Sequence, residues 1–168
     1  MSTPFKAIEW VNNQIVLLDQ TLIPIEEKYV PFENVADLIV AIQRLVVRGA
    51  PAIGVTGAYG VVLAMDEAAR KNWSDAELEK ALDDLRDARP TAVNLAWAVQ
   101  KIRPLVKQGR DAVLAAAHEI AEADRKSSTD MGNIGADWLI NKLGKKPLTL
   151  LTHCNTGSLA TTGTGTAL

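Results

Sequence analysis

In Arg48-Gly49-Ala50-Pro51-Ala52-Ile53-Gly54-Val55-Thr56-Gly57-Ala58-Tyr59-Gly60-Val61-Val62-Leu63-Ala64-Met65, the residues from Ala52 onward read as a helix that is apolar on nearly every side. Gly54, Gly57 and Gly60 recur at every third position. Glycine weakens a helix by about 1 kcal/mol against alanine, so three of them need a packing or ligand reason. A buried helix over 52–69, whose glycines let other backbones approach closely, supplies one. Pro51 interrupts the helical pattern on its N-terminal side.

Toward the N-terminus, Val35, Leu38, Ile39, Ile42, Leu45 and Val46 repeat at three- and four-residue steps and share one helical face. Before them, two short apolar stretches within 8–18 flank Asn12-Asn13, a pair suited to a hairpin turn. Tyr29-Val30-Pro31 reads as an extended lead-in, because Pro31 biases Val30 away from helix.

Toward the C-terminus, Ser74-Asp75-Ala76-Glu77 has capping-box spacing and starts a helix carrying Leu78, Leu82 and Leu85. Arg89-Pro90-Thr91 breaks it. A fourth helix is predicted from about Ala92 to Ile102. Asp111 to Leu143 reads as one long helix or two in line, with Val113, Leu114, Ala117, Ile120, Ile134, Leu139 and Ile140 as its apolar set and Gly144 as its stop.

The pattern changes after Lys146. Leu148-Thr149-Leu150-Leu151-Thr152 is short, apolar and without alternation, as in a strand covered on both faces. Such a strand needs neighbours for its backbone groups, and the sequence offers none of that kind. The fold class is therefore α/β. Residues 1–143 are expected to form a hairpin-plus-helices domain, and 144–168 the first strand, turn and helix entry of a second, α/β domain that is truncated here.

Composition narrows the function classes. Of 168 residues, 48% are hydrophobic and 23% charged, with a net charge of −2. That balance gives no basic surface for nucleic acid or an anionic membrane. The lone cysteine, Cys154, can form no internal disulfide, which suits a reducing compartment. The N-terminus lacks an apolar signal core, and the glycine-rich segment around Val61–Met65 reads as too short to span a bilayer. A cytoplasmic location is expected.

Three places could carry chemistry. Cys154 would sit just past a strand's C-terminal end, where sites in open α/β sheets gather. His153 and a helix N-terminus beside it would favour the thiolate; the alternative is a buried, inert cysteine. The turn from Gly157 to Gly165 offers N–H groups and hydroxyls to an anion. It lacks the lysine of a nucleotide-hydrolase phosphate loop and the third glycine of the dinucleotide fingerprint, so an ordinary strand-to-helix turn also fits. Arg48-Gly49-Ala50-Pro51 lies between two helices and could clamp a phosphate, or simply mark a helix break beside a surface arginine. Arg89-Pro90-Thr91 repeats that theme. His118, beside Glu119 and Glu122, falls short of a metal site and reads as part of a solvated face. Trp10, Trp73, Trp97 and Trp138 are expected to pack.

Taken together, three stretches resemble those of the methylthioribose-1-phosphate isomerases. They are Arg48–Val55 with Ala58-Tyr59-Gly60, Arg89-Pro90-Thr91-Ala92-Val93-Asn94-Leu95, and Leu151-Thr152-His153-Cys154-Asn155-Thr156-Gly157 with the residues to Leu168. The wider family holds ribose-1,5-bisphosphate isomerases and regulatory subunits of a translation-initiation exchange factor. The Cys-Asn-Thr-Gly form resembles the methylthioribose branch. The resemblance implies a Rossmann-like C-terminal domain, a homodimer, and aldose–ketose isomerisation of a sugar phosphate without an organic cofactor or metal. It implies Arg48, Gly49, Ala50 and Arg89 as substrate-binding residues and Cys154 as catalytic. It also implies a second catalytic residue, an aspartate, from a C-terminal half that residues 1–168 do not contain. The other readings it leaves are isomerisation of another 1-phosphorylated pentose, and a non-catalytic regulatory subunit.

Overall fold

The computed structural model describes residues 5–153 and 157–165. Three strands form an antiparallel sheet in sequence order: β1 (Ile8–Val11), β2 (Gln14–Leu18) and β3 (Tyr29–Phe32). Asn12 and Asn13 have φ of 51° and 61°, the left-handed pair that a two-residue hairpin of this twist requires. The extended lead-in at Tyr29 is a third strand, pairing Leu17 with Val30 and Ile15 with Phe32. Pro31 sits on the outer strand of the sheet, where its missing N–H costs nothing.

The helices follow as α1 (Val35–Gln43), α2 (Ala50–Lys71), α3 (Asp75–Arg86), α4 (Val93–Ile102) and α5 (Arg110–Leu143), with a 3-10 stretch at Arg103–Gln108. Helix α2 is the axis of the fold. Its buried residues face the sheet and the other four helices, so apolar side chains point in every direction. Added Cβ atoms at Gly54, Gly57 and Gly60 would stand 3.2, 2.7 and 2.8 Å from Asn94, Leu95 and Leu85 respectively. The glycine stripe is thus a packing device that brings α4 and the end of α3 against α2.

By length and composition α2 could cross a bilayer, contrary to the sequence expectation that the segment is too short. Here 78% of its most apolar window is buried inside the protein, so it acts as a core helix. It also begins earlier than expected: Pro51 lies inside the first turn, where its missing N–H removes no helical bond. Glu67, only 3% exposed, turns its carboxylate toward the start of α1; Oε2 accepts from the N–H of Val35 (2.7 Å) and Oε1 from Lys71 Nζ (2.6 Å).

Helix α1 ends at Gln43, sooner than its apolar spacing implied. Leu45 takes φ 65° and is exposed, while Val46 and Val47 turn inward. The capping box at Ser74 and Glu77 is formed in both directions. Helix α5 is one continuous helix of 34 residues, but its expected apolar set is only half right. Val113, Ala117 and Ile120 are buried, whereas Ile134 and Ile140 are exposed because no element among the described residues packs over the last turns. Trp97 and Trp138 are likewise exposed, Trp73 is partly buried, and Trp10 stacks on Tyr59.

The strand predicted over 148–152 is not formed. Residues 147–153 pair with no strand among the described residues, and Leu151 is fully exposed. An apolar strand without neighbours has nothing to satisfy its N–H and C=O groups except water. The three-stranded antiparallel sheet belongs entirely to the N-terminal part, and the helices dominate the α/β architecture.

Candidate functional site

Residues 45–53 make a sharp junction between α1 and α2. Buried Val46 and Val47 fix the chain before it, and Val46 O accepts from the N–H of Gln20 (3.0 Å). Arg48 then emerges exposed, its Nε donating to Leu45 O at 3.3 Å. Gly49 has φ 89°, a conformation that side-chain-bearing residues rarely adopt. Ala50 opens α2, so Arg48, Gly49 and Ala50 stand at the positive end of a 22-residue helix dipole.

Onto this junction folds the segment 157–165. Gly157–Leu159 forms one 3-10 turn, after which Ala160 and Thr161 are buried. Ala160 O accepts from Ala52 N–H (3.1 Å), satisfying one of the donors that a helix start leaves open. Gln20 Nε2 donates to Leu159 O at 2.7 Å. From α5, Asp124 Oδ2 accepts from both the N–H and the hydroxyl of Thr162, each at 2.7 Å. Thr161 Oγ1 accepts from Gly163 N–H (3.1 Å) and closes a local turn. The Arg48 motif and the glycine-rich segment, 108 residues apart at Gly49 and Gly157, therefore meet in space.

The Arg89–Leu95 motif leads into α4. Arg89 is half-buried on the turn after α3, its carbonyl accepting from Ala92 N–H (2.9 Å). Asn94, in the first turn of α4, abuts Gly54 one turn into α2. Beside that contact opens a mainly apolar cavity of about 630 Å³, lined by Pro51, Gly54, Asn94, Trp97, Lys101 and Asp124 among others. Cys154, the expected catalytic residue, lies outside the described residues.

Sequence reading missed Gln20 and Asp124, ordinary polar residues in unremarkable contexts, and took Thr162 only as part of the 157–165 turn that could meet an anion; the folded chain gives each its partner. His118 is also more than part of a solvated face: its Nδ1 shares a 3.0 Å hydrogen bond with Tyr59 OH, and the two rings meet edge to face. Burial pushes the Tyr59 phenol above its ordinary pKa, while nearby Arg125 pulls it down. These side chains border a second depression of about 410 Å³ with Lys6, Trp10 and Thr162. Among the described residues, no three His, Cys, Asp or Glu side chains group as a metal site.

A helical body in which a glycine-hinged arginine motif receives a glycine- and threonine-rich segment defines a recognisable class. Residues 46–164 match the Initiation factor 2 subunit family, and the chain belongs to that family. Within it, the chain is 46% identical over 171 residues to a methylthioribose-1-phosphate isomerase of Azotobacter vinelandii and 46% identical over 170 residues to one of Pseudomonas aeruginosa. Each alignment covers 97% of this chain and 47% of the relative, so the chain spans about half the length of the curated relatives it matches. The crystal structure of 5-methylthioribose 1-phosphate isomerase from Pyrococcus horikoshii superposes with a TM-score of 0.80 at 34% identity, over 98% of this chain and 47% of that one. Translation initiation factor eIF-2B, subunit delta, from A. fulgidus superposes with a TM-score of 0.75, also at 34% identity, over 95% of this chain and 47% of that one.

Proposed function

We propose that the protein to which this chain contributes isomerises 5-methylthioribose 1-phosphate to 5-methylthioribulose 1-phosphate in methionine salvage. One observation carries most of the weight: Ala160 O on Ala52 N–H seats the segment that follows Cys154 on the helix that Arg48, Gly49 and Ala50 begin. The isomerase names of the relatives point the same way. In this reading residues 1–143 are the N-terminal domain. Residues 144–168 begin a Rossmann-like domain, in which 148–152 becomes a strand once its neighbours are present. The assembly is a cytoplasmic homodimer.

The chemistry sets the demands on the site. A phosphate on the anomeric oxygen prevents the sugar from opening to a free aldehyde. An acid must protonate the ring oxygen while the ring C1–O bond breaks, and hydrogen must then pass from C2 to C1. Arg48 and Arg89 hold the phosphate dianion, with N–H groups at Gly49 and Ala50 adding dipoles, so that binding energy is spent on orientation. In an enediol route the Cys154 thiolate takes the C2 proton. In a hydride route it shapes the charge around the reacting carbons. Solvent deuterium appearing at C1 of the product marks the first route.

The test is a direct assay of the full-length protein with methylthioribose 1-phosphate. Turnover is expected, with Cys154→Ser lower by about 100- to 10,000-fold. No turnover by the wild type would overturn the assignment, and near-normal turnover by Cys154→Ser would remove the catalytic role of the thiol. The second reading, a non-catalytic regulatory subunit, draws on the similarity to the translation-factor subunit; Cys154 and the Arg48 motif weigh against it. Turnover of ribose 1,5-bisphosphate or 5-deoxyribose 1-phosphate in preference would assign another pentose phosphate.

A further inference from the structure

Two backbone segments far apart in sequence must register closely for the proposed chemistry, and a helix start alone does not enforce that. The bond from Ala52 N–H to Ala160 O is single and lets the segment pivot about it. Gln20 Nε2 on Leu159 O adds a second point from the loop after β2. The third point differs in kind. Asp124 Oδ2 takes two donors from one residue, Thr162 N–H and Oγ1–H, both at 2.7 Å, and the same hydroxyl lies 2.8 Å from Ala121 O. A carboxylate acceptor makes each such bond roughly twice as strong as a neutral one. Asp124 also lines the 630 Å³ cavity that reaches Pro51 at the start of α2.

We propose that Asp124 is a positioning residue: by gripping Thr162 it fixes the segment that follows Cys154 against the Arg48–Ala50 turn. It touches no reacting atom in this role. The inference rests on the isomerase reading for its catalytic consequence, while the grip itself is independent of that reading. Thr162 lies eight residues after Cys154, and the intervening Ala160 and Thr161 are buried. A displacement of about 1 Å at a reacting group costs on the order of 100-fold in rate.

The experiment uses the full-length protein with Asp124→Ala, Asp124→Asn, Thr162→Val and Thr162→Ser. Thr162→Val keeps the side chain's shape and removes only the hydroxyl, so it stays informative if Asp124→Ala fails to fold. Expected is a kcat loss of about 10- to 100-fold in Asp124→Ala and Thr162→Val, with KM for methylthioribose 1-phosphate within about twofold. Asp124→Asn should fall between, because its amide oxygen still accepts, and Thr162→Ser should be near wild type. A second readout is the rate of Cys154 alkylation by iodoacetamide, followed by peptide mass spectrometry. It should change several-fold in Asp124→Ala and Thr162→Val but not in Thr162→Ser. Wild-type kcat and wild-type alkylation in Thr162→Val overturn the proposal, as does an equal loss in Thr162→Ser. If the wild type itself fails to turn over the sugar phosphate, the isomerase reading falls, and the alkylation rates alone decide whether Asp124 holds the segment.

Discussion

A side chain on Gly49 would collide with Ala160: a Cβ built there stands 2.6 Å from the Cα, the Cβ and the carbonyl oxygen of Ala160. The φ of 89° adds strain for any L residue, about 1–3 kcal/mol. Gly49→Ala should therefore push the 157–165 segment off the start of α2. Activity of the full-length protein is expected to fall at least about tenfold, with a modest loss of thermal stability. Full activity in Gly49→Ala would mean that the contact with Ala160 is dispensable.

Arg48 is exposed two residues before the start of α2, and its Nε rests on Leu45 O. In the role proposed for it, replacing it with alanine removes a phosphate partner and leaves the core intact. Binding of sugar phosphate should weaken about 10- to 100-fold, the range of a lost charge-assisted bond. The melting temperature should hardly move. Titration calorimetry on Arg48→Ala separates the two effects, and unchanged affinity would exclude the role.

Glu67 joins α2 to the start of α1 through Val35 N–H. Glu67→Ala leaves that buried donor without an acceptor and should cost about 1–3 kcal/mol. Glu67→Gln keeps an oxygen acceptor and should cost less. Urea denaturation of the two variants gives the comparison; identical midpoints would show that the bond contributes nothing.

Tyr59 carries a pKa raised chiefly by burial. The folded state then keeps its phenolic proton to a higher pH than the unfolded state. Stability contributed by the neutral ring is complete below pH 10, the ordinary tyrosine value. It is lost as pH rises from there through the folded pKa. Tyr59→Phe should flatten that alkaline decline, at the expense of about 0.5–1.5 kcal/mol at neutral pH for the lost bond to His118. Melting curves from pH 8 to about pH 11 test the sign.

Glu77 shows the opposite case. Hydrogen bonds from the Ser74 backbone and then its hydroxyl hold the Glu77 carboxyl below its ordinary 4.5. Its contribution is present above that pH and fades as pH falls through the lower folded value. Ser74→Ala should lower stability at pH 7 and shrink the acid-side decline, read as melting temperature between about pH 6 and pH 3.

Much of the helical frame was legible because periodicity and punctuation agreed. Asn12-Asn13, Ser74–Glu77 and the glycine stripe each encode one local geometry, and each is realised. Errors arose where long-range partners decide. Leu45 and Ile134 fit a helical apolar face by spacing, yet among the described residues they stay 37% and 70% exposed. Leu148–Thr152 has the composition of an inner strand, but a strand exists only with its neighbours. Pro51 reads as a break in isolation and is harmless in a first turn. At the candidate site, the arginine and glycine motifs stood out as residue types. Gln20, Asp124 and Thr162 did not, because what distinguishes them is a hydrogen bond across 139 residues in one case and 38 in the other.

Helix α2 also bears on how the chain is made. It leaves the ribosome before α3, α4 and α5 have emerged to cover it, as 22 residues apolar enough, by length and composition, to pass for a membrane anchor. During that interval it is a substrate for any machinery that sorts nascent chains by greasiness. Replacing Gly54, Gly57 or Gly60 with bulkier apolar residues would do more than spoil the mature packing, because it would also tilt this early decision toward mistargeting.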